Sequence, residues 1–220
     1  MPPSAARRLE VLAWANVTAH GLGLVAAWVG MRPGSVVVPL PERTAYLASH
    51  PALWSWGWSL WMLCAVLLVA FIAGLGRCLP ANSVIASLAL VVTAAGMAVD
   101  LLCDVLQIAV LPGIAEAGPA ATTLFLAFER LAFTGGATVA NGLYTTGILL
   151  ITFRLGGVLG LPARLAGYGT AVAGYAMAAA GLLPSPELLQ ISTVPTIGFF
   201  SLWTVLIARD LRDLDTGAPE

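Results

Sequence analysis

Lysine is absent from this chain of 220 residues, and all ten basic side chains are arginines. A phosphate-cradling P-loop needs a lysine, so nucleotide-driven transport by this chain alone is excluded. Charge of either sign is scarce: Asp, Glu and Arg together make up 10% of the residues, against roughly 25% in an average soluble domain. The net charge is −1, and no basic patch exists to neutralise phosphates. Nucleic acid is therefore not an expected partner. Histidine occurs only at His20 and His50, and cysteine only at Cys64, Cys78 and Cys103. No CxxC pair is present, and an odd number of cysteines argues against a disulfide framework.

These shortages also limit catalysis. The HExxH, GxSxG and GxGxxG motifs are all missing, and with them the zinc protease, the serine hydrolase and the dinucleotide fold that they announce. Cys103 and Ser87 are weak nucleophile candidates because no histidine is spaced to activate them. The two histidines should differ in depth by about 15 Å along the membrane normal, so they make a poor pair for one haem or metal. A site of His20 with Asp100 has no ligand spacing to support it. No resident metal or cofactor is expected.

What the chain has in excess is apolar surface. Hydrophobic residues make up 59% and the mean hydropathy is +0.91, where a soluble domain is about half apolar. The wealth of Ala, Gly, Leu and Val, with arginine in place of lysine, points to a GC-rich bacterial coding sequence. A spanning helix needs about 20 mostly apolar residues, and six segments qualify: Val11–Met31, Pro51–Leu75, Val84–Leu111, Thr122–Phe153, Leu165–Leu183 and Leu188–Ala208. They lack period-two alternation, so they read as helices, which satisfy their own backbone in lipid. The expected class is an all-α, polytopic membrane helical bundle in one transmembrane domain, with a short cytoplasmic tail at 209–220. The first segment follows Arg7 and Arg8 but has no clean cleavage site, and it contains Asn16 and His20. It reads as a retained helix rather than a signal peptide.

Prolines and glycines separate the segments: Pro33 and Gly34, Pro80 and Asn82, Pro112 and Gly113 with Gly118 and Pro119, Gly160 and Pro162, and Pro184 with Pro186. The only long loop, 32–50, has room for a short interfacial piece. With the N-terminus inside, the inner segments hold Arg7, Arg8, Arg77, Arg154, Arg164, Arg209 and Arg212, and the outer ones only Arg32 and Arg43. Positive charge favours the cytoplasmic side, so both termini are expected in the cytoplasm and the chain in the inner membrane. Trp54, Trp58 and Trp61 share one face at the outer end of the second helix. An interfacial aromatic belt is the expected role, and a stacking site for a ring is the alternative. In the fifth helix Gly167, Ala171, Gly174, Ala178 and Gly181 form a face of small residues suited to close helix approach. That face serves packing within the chain or a contact between copies.

The costly residues are the ionisable ones in lipid, each a functional-site hypothesis by default. Asp100 and Asp104 stand four apart on the third helix, on one face, and Gln107 extends the stripe. Asp100 lies about 24 Å and Asp104 about 30 Å from the inner end of that helix. The fourth helix carries Glu129 and Arg130, then Asn141 with Tyr144 beside it. Three carboxylates face one arginine, and Arg130 can pair with one of them. The structural alternative to a ligand site is an interhelical Asp100–Arg130 pair with Asp104 and Glu129 at the interface. His20 could bond a polar group on either helix, or serve in packing. The segment of Glu129 is longer than a span needs, and Gly135-Gly136 marks a candidate kink.

Three functions remain open. The first is an outward-facing acidic pocket between helices three and four, built from Asp100, Asp104, Gln107, Glu129, Arg130, Asn141, Tyr144 and His20. It would bind or pass a small cation, a proton or an amphipathic molecule. The second is a membrane enzyme acting on lipid through Asp100, Asp104 and Glu129. The third is an assembly or structural subunit that uses the small-residue face of the fifth helix.

Overall fold

The computed structural model describes residues 3–79, 83–183 and 185–216, all helix and short connections with no strand among them. Helix α1 (Pro3–Ala26) runs on through a π-helical turn (Ala27–Met31) and a 3-10 turn (Arg32–Gly34). The short α2 (Leu40–Ser49) follows, then α3 (Pro51–Gly76). Helix α4 (Val84–Val105) continues through a π turn (Leu106–Val110) into α5 (Leu111–Glu116). After a 3-10 turn (Gly118–Ala121), α6 (Thr122–Phe133), a π segment (Thr134–Ala140) and α7 (Asn141–Leu155) form one long rod. Helices α8 (Leu161–Ala180) and α9 (Pro186–Thr216) complete the chain.

The helix starts follow from local chemistry. Prolines occupy the first turn of α2, α3, α5 and α8, where the missing N–H costs nothing and the fixed φ suits a helix. Helix α4 is capped by Ser83, whose Oγ accepts from the Ala86 N–H at 3.3 Å. The 209–220 stretch, expected as a tail, is helical through Thr216, because α9 runs past the apolar stretch into Arg209, Arg212 and Asp213. Residues 217–220 of that stretch lie outside the described residues, as do the separators Pro80, Asn82 and Pro184.

Five helical stretches are long and apolar enough to cross a membrane: Ala6–Gly34, Pro51–Gly76, Val84–Glu116, Gly118–Leu155 and Glu187–Asp213. This is the architecture of a multi-pass membrane protein. Large apolar side chains cover its outside, Val29 being 78% and Val172 74% exposed. In water such a surface would aggregate; in hydrocarbon it is the solvated face. The 20-residue α8 is richer in Ala and Gly than in large apolar residues, and it packs against both α7 and α9.

Two tie points mark one end of the bundle: Arg212 Nη1 to Glu10 Oε1 at 3.0 Å, and the Gly160 N–H to Asp210 Oδ2 at 2.8 Å. At the other end lies α2. Two apolar cores form between these ends. One gathers Phe71, Ile72, Ile151, Trp203 and Ile207; the other gathers Met31, Leu47, Trp54, Leu111 and Phe125 beneath α2.

Helix α4 meets α7 along a seam of small residues. A Cβ on Gly147 would overlap Thr93 Oγ1, and one on Gly96 would sit 3.0 Å from the Tyr144 ring and 3.1 Å from the Ala140 carbonyl. Gly167 and Gly174 of α8 face Thr152 and Thr145 of α7 in the same way. Gly167, Ala171, Gly174 and Ala178 are all buried. Of the two roles given to this face above, packing within the chain is the one these contacts serve: Gly167 meets Thr152 of α7 and Trp203 of α9, and Gly174 meets Thr145 of α7.

Candidate functional site

A cavity of about 270 Å³ lies between the two cores. It is not confined to the groove between the third and fourth apolar segments, since α1, α3, α4, α7, α8 and α9 all contribute to its wall. The wall runs from Leu68, Ile148 and Thr170 in mid-bundle up to Ser35, Gln107 and Gln190 near the α2 end. Six of the eight residues singled out in the sequence line it: His20, Asp100, Asp104, Gln107, Asn141 and Tyr144. Glu129 and Arg130 do not.

The two aspartates come together as their spacing dictates, since residues four apart on a helix share a face. Tyr144 donates its hydroxyl to Asp100 Oδ2 at 3.1 Å. Asp104 is 1% exposed, and its Oδ2 has no hydrogen-bond partner. Gln107 Oε1, one turn further along, is likewise buried and unpartnered. Asn141 turns its Nδ2 back to the Gly136 carbonyl at 3.0 Å, within the π segment that includes Gly135-Gly136. His20 donates Nδ1–H to the Asn16 carbonyl at 2.9 Å, with its ring 4.8 Å from Phe200 and 6.2 Å from Trp61. It bonds no polar group of α4 or α7.

The expected partnership of Arg130 is overturned. Arg130 is exposed and joins none of the described ion pairs. Glu129 is buried and takes a bidentate fork from Arg43 of α2, with Nε at 2.8 Å and Nη2 at 2.7 Å. Neighbouring residues on a helix point about 100° apart, so Glu129 faces inward while Arg130 faces away. Arg43 also donates Nη1–H to the Val38 carbonyl at 2.8 Å. The Tyr46 hydroxyl reaches the Gly30 carbonyl, and burial raises that phenol above its ordinary pKa. These bonds hold α2 across the α2 end of the bundle. With Glu129 committed to Arg43, it is lost to an acid–base trio with the aspartates.

The tryptophans also differ from expectation. Trp54, Trp58 and Trp61 line the cavity, and Trp54 is 2% exposed; of the α3 group only Trp56 faces outward, at 60%. The face they share on α3 turns toward the bundle axis, not the interface. Trp54 has a specific task. In the π turn the Leu111 N–H goes to the Leu106 carbonyl. The next N–H in that register would belong to residue 112, which is a proline and has none. The Gln107 carbonyl is left open, and Trp54 Nε1 donates to it at 2.9 Å. Trp54→Phe should therefore lower stability by about 1–3 kcal/mol through one orphaned buried carbonyl. Denaturant unfolding in detergent measures this, and a variant as stable as the parent would refute the account.

No group of three or more His, Cys, Asp or Glu side chains arranged to hold a metal occurs among the described residues. No family profile, curated protein or solved structure matches the chain. Function must be argued from the cavity.

Proposed function

We propose that this chain is a six-span protein of the cell membrane, with both ends in the cytoplasm. Its outward-opening acidic cavity binds or passes a small cation, a proton or a cationic amphipathic molecule. One observation carries the reading: Asp104, buried, with a carboxylate oxygen bonded to nothing, faces a cavity in which Asp100 is the other carboxylate. No arginine lines that cavity. Buried charge in a low-dielectric wall demands a counter-charge. Here a proton or a ligand supplies it.

The arginines support the orientation. Arg7, Arg8, Arg77, Arg154, Arg164, Arg209 and Arg212 belong to helix ends and turns opposite α2. At the α2 end, Arg43 is neutralised by Glu129, and Arg32 lies 5.3 Å from the Trp28 ring centroid. The positive-inside bias then favours the outside for α2 and for the end of the cavity near it. In this reading α8 is the sixth span, tolerated with its Gly and Ala because α7 and α9 cover much of it.

Cys64 and Cys103 both line the cavity and make the reading testable. Variants keeping one or the other as the sole cysteine would be treated in intact cells with membrane-impermeant thiosulfonates, one cationic and one anionic. The cationic reagent should react about tenfold faster, since an acidic cleft concentrates cations. Asp100→Asn with Asp104→Asn should erase the preference. Equal rates for the two reagents in the parent would sink the acidic-cavity reading, and labelling only in inverted vesicles would sink the orientation.

A further inference from the structure

The unsatisfied atoms of the wall narrow the ligand class beyond positive charge. We infer that the cavity takes a small protonated aryl-alkyl amine, with its ammonium N–H groups on Asp104 and Gln107 and its ring among Trp58, Trp61 and Phe200. This inference rests on the reading above.

Three observations carry it. First, three unpartnered buried polar atoms belong to wall residues near the α2 end. Two are acceptors one turn apart on the same face, Asp104 Oδ2 and Gln107 Oε1, and one is a donor, Trp58 Nε1, which the π face of a ligand ring can accept. A buried acceptor is costly unless it receives a hydrogen bond. The missing partner therefore carries N–H donors, which a protonated amine has and a quaternary ammonium lacks. Second, the rest of the wall is mainly apolar and aromatic, supplied by Trp58 and Trp61 of α3, Tyr144 of α7 and Phe200 of α9. Aromatic faces suit a ring by stacking and a cation through the π cloud. A bare inorganic cation would need several converging oxygens, about six to eight for calcium, whereas Asp100 and Asp104 are the only carboxylates in the wall and no group of three or more His, Cys, Asp or Glu arranged to hold a metal occurs among the described residues. Third, about 270 Å³ lies at the lower edge of the roughly 300–1,000 Å³ typical of small-molecule pockets. The ligand is a single ring with a short chain, not a lipid.

The test uses the full chain in detergent and four probes, followed by tryptophan fluorescence and thermal shift. They are 2-phenylethylammonium, its N,N,N-trimethyl analogue, phenylacetate, and propylammonium as an amine without a ring. The Asp104→Asn protein, checked for native helix content, reports partition into the micelle. Asp100→Asn is the second variant should Asp104→Asn not fold. We expect saturable binding of 2-phenylethylammonium, about tenfold weaker binding of the trimethyl analogue and of propylammonium, and none of phenylacetate. Asp104→Asn should lower affinity for the amine by about tenfold or more. A trimethyl analogue that binds as well as the primary amine would overturn the hydrogen-bond argument. No binding by any of the four probes, with the cationic preference of Cys103 intact, would overturn the ligand class and leave the acidic cavity standing. Loss of both results would bring down the two readings together.

Discussion

Arg43→Ala is expected to lower stability by about 3–5 kcal/mol, as breaking one side of a buried ion pair does. Glu129 is 6% exposed and receives two N–H donors from the guanidinium. Removing them leaves an uncompensated carboxylate, and the Val38 carbonyl loses its donor as well. Arg130→Ala, one position from the same carboxylate, should change stability by less than about 0.5 kcal/mol, because that side chain is exposed and joins no ion pair among the described residues. Glu129→Gln should fall between them, since the amide keeps the shape but not the charge. Replacing both partners, as Arg43→Met with Glu129→Leu, should recover most of the loss, because an apolar pair leaves no charge stranded. Unfolding curves in detergent order the four proteins. Equal effects of Arg43→Ala and Arg130→Ala would refute the pairing. A second readout follows from position: with α2 released, cationic modification of Cys103 should speed up.

This pairing shows where sequence reasoning stops. The apolar segments and the Asp100–Asp104–Gln107 stripe depend only on composition and on a period of 3.6 residues, so both are legible in the chain. The ring of helices around the cavity is not, because nothing local states which face of α1, α8 or α9 meets α4. Arg43 and Glu129 are 86 residues apart, and the adjacent Arg130 is a decoy that a helical wheel alone exposes. The tryptophan face of α3 was legible as a face, but its direction was not. Interfacial enrichment and cavity lining produce the same spacing. One signal was available and missed: Pro112 stands five residues after Gln107, which leaves a carbonyl open in a π turn, and an indole N–H is a suitable group to fill it. The small-residue pattern of α8 was plain, whereas its use within the chain needed the positions of Thr152 and Thr145 opposite.

The α4–α7 seam links packing to the site, and Gly147 is its most sensitive point. Gly147→Val should abolish folded protein. Gly147→Ala should cost about 2–3 kcal/mol, at the upper end of ordinary overpacking. The added Cβ would overlap Thr93 Oγ1 and lie 3.1 Å from the Ala89 carbonyl, and Thr93 is itself held by a 2.7 Å bond to that carbonyl. Neither atom is the loose end of a long side chain, so the helices must part. Thr93→Ala combined with Gly147→Ala should restore most of the stability, because the hydroxyl is the worst of the contacts. The consequence for the site follows from register. Thr93, Gly96, Asp100 and Cys103 step three, four and three residues along one face of α4. A shift at Thr93 is therefore passed along a rigid helix to Asp100. The Asp100–Tyr144 bond, 3.1 Å in the parent, should lengthen. The Gly147→Ala protein that still folds should then lose part of the charge preference at Cys103, and the double variant should regain it. Gly147→Ala with unchanged stability and unchanged preference would show that the seam has slack and that the aspartates are positioned by something else.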